Sequence, residues 1–146
     1  MLQHLVIPPL LALVLTIWAA SPHNPPAKLP QKIGQEVGDI TGFYSCKGTE
    51  AGGKAYSGMA VIQKKNDVYI VHWMVGGAGF TGVGIRLGDT ISVSWALPGE
   101  KGIVRGVNVY RIEQGPRLIG RWASLPGPGI VQDETLVFLK RLEPDD

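Results

Sequence analysis

Gly77-Ala78-Gly79-Phe80-Thr81-Gly82 fits the dinucleotide-binding fingerprint letter for letter. That fingerprint works only when a strand and a glycine turn lead into a helix whose N-terminus receives the pyrophosphate. Here Val83 to Leu87 alternates around Gly84 and runs into Gly88-Asp89. No helix follows, so these glycines read as hairpin and bend residues. Cys46 is the single cysteine. It shares an alternating face with Gly42 and Tyr44, which makes it an inert, inward-pointing thiol with no internal disulfide partner. Of the three histidines, His4 and His23 fall before the domain and His72 points outward between Val71 and Trp73. A metal site wants several convergent ligands, and none gather, so no metal ligand and no cofactor are expected.

The carboxylates are scattered. Asp67 and Asp89 belong to turns, Glu134 opens the last strand beside Asp133, and Glu143, Asp145 and Asp146 sit in the tail. No two of them stand out as a glycosidase pair, and no Gly-x-Ser-x-Gly supplies a nucleophile. The residues therefore predict a non-enzymatic protein with no catalytic residues.

The elements that carry these residues are legible in the chain's organisation. With 146 residues, 45% hydrophobic and 18% charged, the chain suits one globular domain. A net charge of +2 without basic runs leaves nucleic acid out as a partner. Residues 1–20 read as a signal peptide: Leu5 to Ile17 is apolar, and Ile17 and Ala19 suit the minus-three and minus-one positions. Its n-region carries only His4 and the amino terminus, so a membrane contact is expected only if the signal stays uncleaved as an anchor. The expected location is secreted, periplasmic or cell envelope. Residues 21–40, with Pro22, Pro25, Pro26 and Pro30, form a stiff linker and lead-in. The domain proper is expected over 41–142 and an acidic tail over 143–146.

From Gly42 onward the period is two. Strands are expected near 42–47, 56–64, 67–75, 80–87, 90–97, 103–113, 117–124 and 134–141, with turns at Asn66-Asp67, Gly88-Asp89, Pro98-Gly99, Gly115-Pro116 and Leu125 to Gly129. Short links force antiparallel neighbours. Three segments end alike, Tyr69-x-Val71-x-Trp73, Ile91-x-Val93-x-Trp95 and Leu118-x-Gly120-x-Trp122. If consecutive strands pair as hairpins, those three run one way and collect their indoles at one end. The glycines favour an antiparallel up-and-down β-barrel of about eight strands over a sandwich, because a closing sheet bends sharply and a large ring can lie over Gly58, Gly82 or Gly84.

Ile91, Val93, Trp95 and Leu97 alternate with Thr90, Ser92, Ser94 and Ala96, so the tryptophan side is the buried side. The opposite set on neighbouring strands is also apolar: Met59, Val61, Ile70, Met74, Val83, Ile85 and Leu87. Such a patch calls for cover, either by the lead-in through Leu29, Ile33 and Val37 or by a protein partner. Arg105, Arg111 and Arg121 point outward as a solvated face.

The ordered set Gly42-Phe43-Tyr44, Tyr56-x-Gly58-x-x-x-Ile62, Tyr69-x-Val71-x-Trp73, Gly82-x-Gly84-x-x-x-Gly88-Asp89-x-Ile91-x-Val93-x-Trp95, Tyr110-x-Ile112, Leu118-x-Gly120-x-Trp122 and Glu134-Thr135-Leu136 resembles small exported bacterial proteins labelled fibronectin-binding protein. The resemblance implies a secreted or envelope β-protein that binds an extracellular protein such as fibronectin, and it brings no catalytic residues. Gly42-Phe43-Tyr44 is also similar to the Gly-x-Trp opening of lipocalins and the start of avidins, with tyrosine in place of tryptophan. That likeness implies a calycin-like carrier of a small hydrophobic ligand in the barrel mouth, touched by Trp73, Trp95, Trp122, Tyr44 and Phe80. The indoles with Tyr44, Tyr56, Tyr69 and Phe80 are enough to fill a barrel of this size, so a filled interior is the expectation.

Overall fold

The structure is a computed structural model that describes residues 38–143. The segment expected to be an export signal, the proline-rich stretch with Leu29, Ile33 and Val37, and residues 144–146 of the tail lie outside the described residues. Eight strands follow one another: β1 (Gly42–Thr49), β2 (Ala55–Lys65), β3 (Val68–Val75), β4 (Ala78–Leu87), β5 (Thr90–Gly99), β6 (Gly102–Glu113), β7 (Arg117–Leu125) and β8 (Gln132–Lys140). Each pairs antiparallel with the next and β8 returns to β1, which closes an up-and-down barrel. Closure leaves no sheet edge to template aggregation. The seam between β8 and β1 shifts register between Phe43 and Tyr44, the kind of irregularity that lets a sheet curl.

The reversals follow local chemistry. Gly76 and Gly77 both take positive φ, 60° and 79°, as a two-residue primed turn requires. Asn66, the only non-glycine at positive φ among the described residues, turns β2 into β3. One expected turn moves: β5 continues through Pro98 and Gly99, and the chain reverses at Glu100-Lys101 instead.

Because every connection is a hairpin, β3, β5 and β7 run in one direction, and they bring Trp73, Trp95 and Trp122 to the same end. Side chains alternate into the lumen. Tyr44, Ile62, Val71, Trp73, Ile91, Val93, Tyr110, Leu118 and Leu136 are buried, each large apolar side chain contributing about 1.5–3 kcal/mol. The end away from the indoles is closed. Ile40, which the sequence places in the lead-in, is fully buried there, and its carbonyl accepts the Tyr44 hydroxyl at 2.7 Å. Arg86 reaches the Gly38 carbonyl at 3.1 Å beside it. The barrel thus has a floor and one mouth, rimmed by the β1–β2, β3–β4, β5–β6 and β7–β8 connections.

Candidate functional site

Cross-strand register explains how polar groups come together inside an apolar barrel. One rung crosses five strands as Tyr110, Gly120, Glu134, Gly48 and Tyr56. Glu134 is therefore flanked on both sides by glycine, and the two tyrosines lean across those glycines towards it. A Cβ on Gly48 would land on the Tyr56 hydroxyl, and one on Gly120 would land on the Tyr110 ring. Large rings facing glycine across a strand pair recur two inward-facing levels nearer the mouth, where Trp95 lies between Gly82 and Gly106.

The result is a buried carboxylate, 3% exposed, held by hydrogen bonds to neutral donors. Tyr56 donates to Oε2 at 2.5 Å. Trp73 Nε1 at 3.2 Å, Asn108 Nδ2 at 3.1 Å and the Tyr110 hydroxyl all donate to Oε1. Asn108 is oriented by Trp95, whose Nε1 can only donate and so faces the amide oxygen, at 2.7 Å. The amide nitrogen then serves the Tyr110 oxygen and Glu134 together. Four nitrogen and oxygen donors thus converge on one carboxyl group, and the Cys46 thiol bonds it as well. The ion pairs among the described residues, Arg111 with Glu113 and Arg121 with Asp133, lie on the outer surface.

Above this network the lumen opens into a hollow of about 190 Å³, lined by Glu50, Tyr56, Val75, Gly76, Phe80, Trp95, Leu97, Asn108, Trp122 and Glu134. Its walls are aromatic. Phe80 stacks on Trp73 at 5.0 Å and meets Trp95 at 5.1 Å, and Trp122 meets Trp95 at 6.4 Å and Tyr56 at 6.5 Å. The buried Nε1 of Trp122 lies beside the Tyr56 hydroxyl without a well-formed hydrogen bond to any of the described residues. A larger hollow of about 590 Å³ lies against β1 and β8, bordered by Ser45, Lys47, Thr49, Arg117, Asp133 and Thr135. It lacks any large ring to grip a ligand, so the smaller aromatic hollow is the candidate site.

Of the residues expected to touch a ligand, Phe80, Trp95 and Trp122 border the hollow. Trp73 is buried, its ring stacked on Phe80 and its N–H given to Glu134. Tyr44 lies at the other end, edge-on to Phe138 at 5.6 Å and bonded to Ile40. The expectation of a completely filled interior holds at the floor and not at the mouth. On the outside, Met59, Met74, Val83, Ile85 and Leu87 are exposed, Ile85 and Leu87 by 68% and 71%, while Val61 and Ile70 are half-buried. His72 bonds Thr81 on that same face at 2.9 Å. Among the described residues no group of three or more histidines, cysteines and carboxylates is placed to hold a metal.

Sequence reasoning missed Glu134 and Asn108, although a signal existed. Glu134, Leu136 and Phe138 share one face of β8, and Gly106, Asn108 and Tyr110 share one face of β6. Parity alone puts both polar residues inside.

Burial, followed by the nearby Glu134 charge, pushes the Tyr56 and Tyr110 hydroxyls well above the ordinary tyrosine value of 10.0. Burial does the same to Tyr44 and to the Cys46 thiol, which starts from 9.0. Groups whose folded pKa is raised stabilise the fold fully below their unfolded pKa and lose that contribution as pH climbs towards the folded one. The urea midpoint is accordingly expected to hold from pH 7 to about 9 and then fall steeply above pH 10. A midpoint still level at pH 11 would contradict this.

No protein-family model matches the chain, and no curated protein matches it. A solved structure described as a redesigned β-barrel, mFAP1, bound to DFHBI, is similar in fold. It is 13% identical with a TM-score of 0.49, over 66% of this chain and 91% of that one.

Proposed function

We propose that this is an exported, non-catalytic β-barrel that carries a small, largely apolar ligand in its tryptophan-bearing mouth. One observation carries the reading: the aromatic hollow between Phe80, Trp95 and Trp122, floored by Asn108 and Glu134. Pockets of this type combine apolar walls with a few placed polar groups. Oε1 of Glu134 already takes three donors, which suits a carboxylate that holds a scaffold better than one that shuttles a substrate proton. Nucleic acid is no partner, and any membrane contact runs through an uncleaved signal anchor. Titration with small hydrophobic aromatic probes is expected to shift and quench tryptophan emission, and Trp122→Ala to weaken binding about tenfold by removing one wall. Emission that never responds would count against the carrier.

The apolar outer face of β3 and β4 favours a second reading, capture of an extracellular protein such as fibronectin. Met74 and Ile85 are 59% and 68% exposed there. Met74→Glu with Ile85→Glu is expected to abolish capture of immobilised fibronectin and leave the unfolding transition in place, because both side chains already face solvent. Capture that survives the double substitution removes this face from consideration.

A further inference from the structure

We infer that the ligand of the mouth carries a cationic nitrogen, an inference resting on the small-ligand reading above. Among the described residues, the charged ones that border the hollow are Glu50 at the rim and Glu134 at the floor, and none is a lysine or arginine. A guest there meets negative charge from two directions. Between them stand the faces of Phe80, Trp95, Trp122 and Tyr56, and ring faces attract cations more strongly as water is excluded. The buried carboxylate is unusual in having only neutral donors around it: tyrosine, tryptophan and asparagine dipoles orient towards it, and none of them brings a full positive charge.

The hydrogen-bond count indicates where the nitrogen sits. Oε1 accepts three bonds from nitrogen and oxygen donors and Oε2 accepts one, from Tyr56, while the Cys46 thiol, a weak donor, also bonds the carboxyl group. A carboxylate oxygen has room for another donor, so an ammonium group entering from the mouth can complete Oε2 and give Glu134 its counter-charge. The buried Trp122 N–H, which makes no well-formed hydrogen bond among the described residues although the Tyr56 hydroxyl is close, offers one donor to an acceptor elsewhere on the same guest. A hollow of about 190 Å³ suits a single ring with a short arm.

The test compares three probes of nearly one shape on the full chain: benzylammonium, benzyl alcohol and benzoate, each followed by tryptophan emission and by proton NMR of the indole N–H signals. Benzylammonium is expected to bind at least about tenfold more tightly than benzyl alcohol, and benzoate not at all. Glu134→Gln is expected to erase the preference for the cation. Because that substitution disturbs the core, Glu50→Gln at the exposed rim provides a second arm, expected to weaken benzylammonium about threefold and leave benzyl alcohol unchanged. Equal binding of ammonium and alcohol overturns the cationic ligand while the pocket stands. Failure of all three to bind overturns it together with the carrier reading.

Discussion

Glu134→Ala is expected to cost about 4 kcal/mol of folding stability, a large share of the ~5–15 kcal/mol that a domain of this kind possesses. The substitution strands two hydroxyls, an indole N–H and an amide that now share one carboxylate. Each buried orphan costs about 1–3 kcal/mol, and water entering from the adjoining hollow recovers part of the sum. In a domain of about 100 residues this lowers the melting temperature by ~15–25 °C. Thermal and urea unfolding followed by tryptophan emission measure it directly. A loss under about 1 kcal/mol would mean that the carboxylate does not organise the mouth.

Gly120→Ala is expected to be nearly as damaging, by about 3 kcal/mol, although it adds one methyl group. The new carbon would overlap both the Tyr110 ring and the Val109 carbonyl. The carbonyl belongs to the β6 ladder and cannot withdraw, so Tyr110 must move and its bond to Glu134 breaks. Gly79→Ala is the control, since its nearest atom would be the Trp73 carbonyl at 3.8 Å. That change is expected to stay within about 0.5 kcal/mol. Equal tolerance at 79 and 120 would show that the rung from Tyr110 to Tyr56 is not what holds the network.

Much of the fold was legible because strand period and turn chemistry are local properties. The repeated Trp ending of β3, β5 and β7 announced their common direction, and Gly88-Asp89 announced a reversal that needs no tertiary context. The pairing of rings with glycines was less legible. Gly82 does face both Trp73 and Trp95, but Trp95 lies most closely on Gly106 and Tyr110 on Gly120, because register depends on how far each strand slides along its neighbour. Glu134 was hidden for another reason. Charge at a strand start usually marks solvent, and what makes its burial tolerable, donors from Tyr56, Trp73, Asn108 and Tyr110, comes from three other strands. Asn108 is the same case, since its partner Trp95 is recognisable only once β5 and β6 are in register.

The two extremities of the described chain meet at the sealed base, where Phe43 on β1 pairs with Lys140 on β8. Fusion partners, surface linkers or affinity handles joined directly at Gly38 or Glu143 would grip the barrel from beneath, leaving its aperture free for immobilised titrations. The same adjacency makes the protein a natural candidate for circular permutation, with the old ends bridged and new ones cut at Gly88-Asp89 on that base.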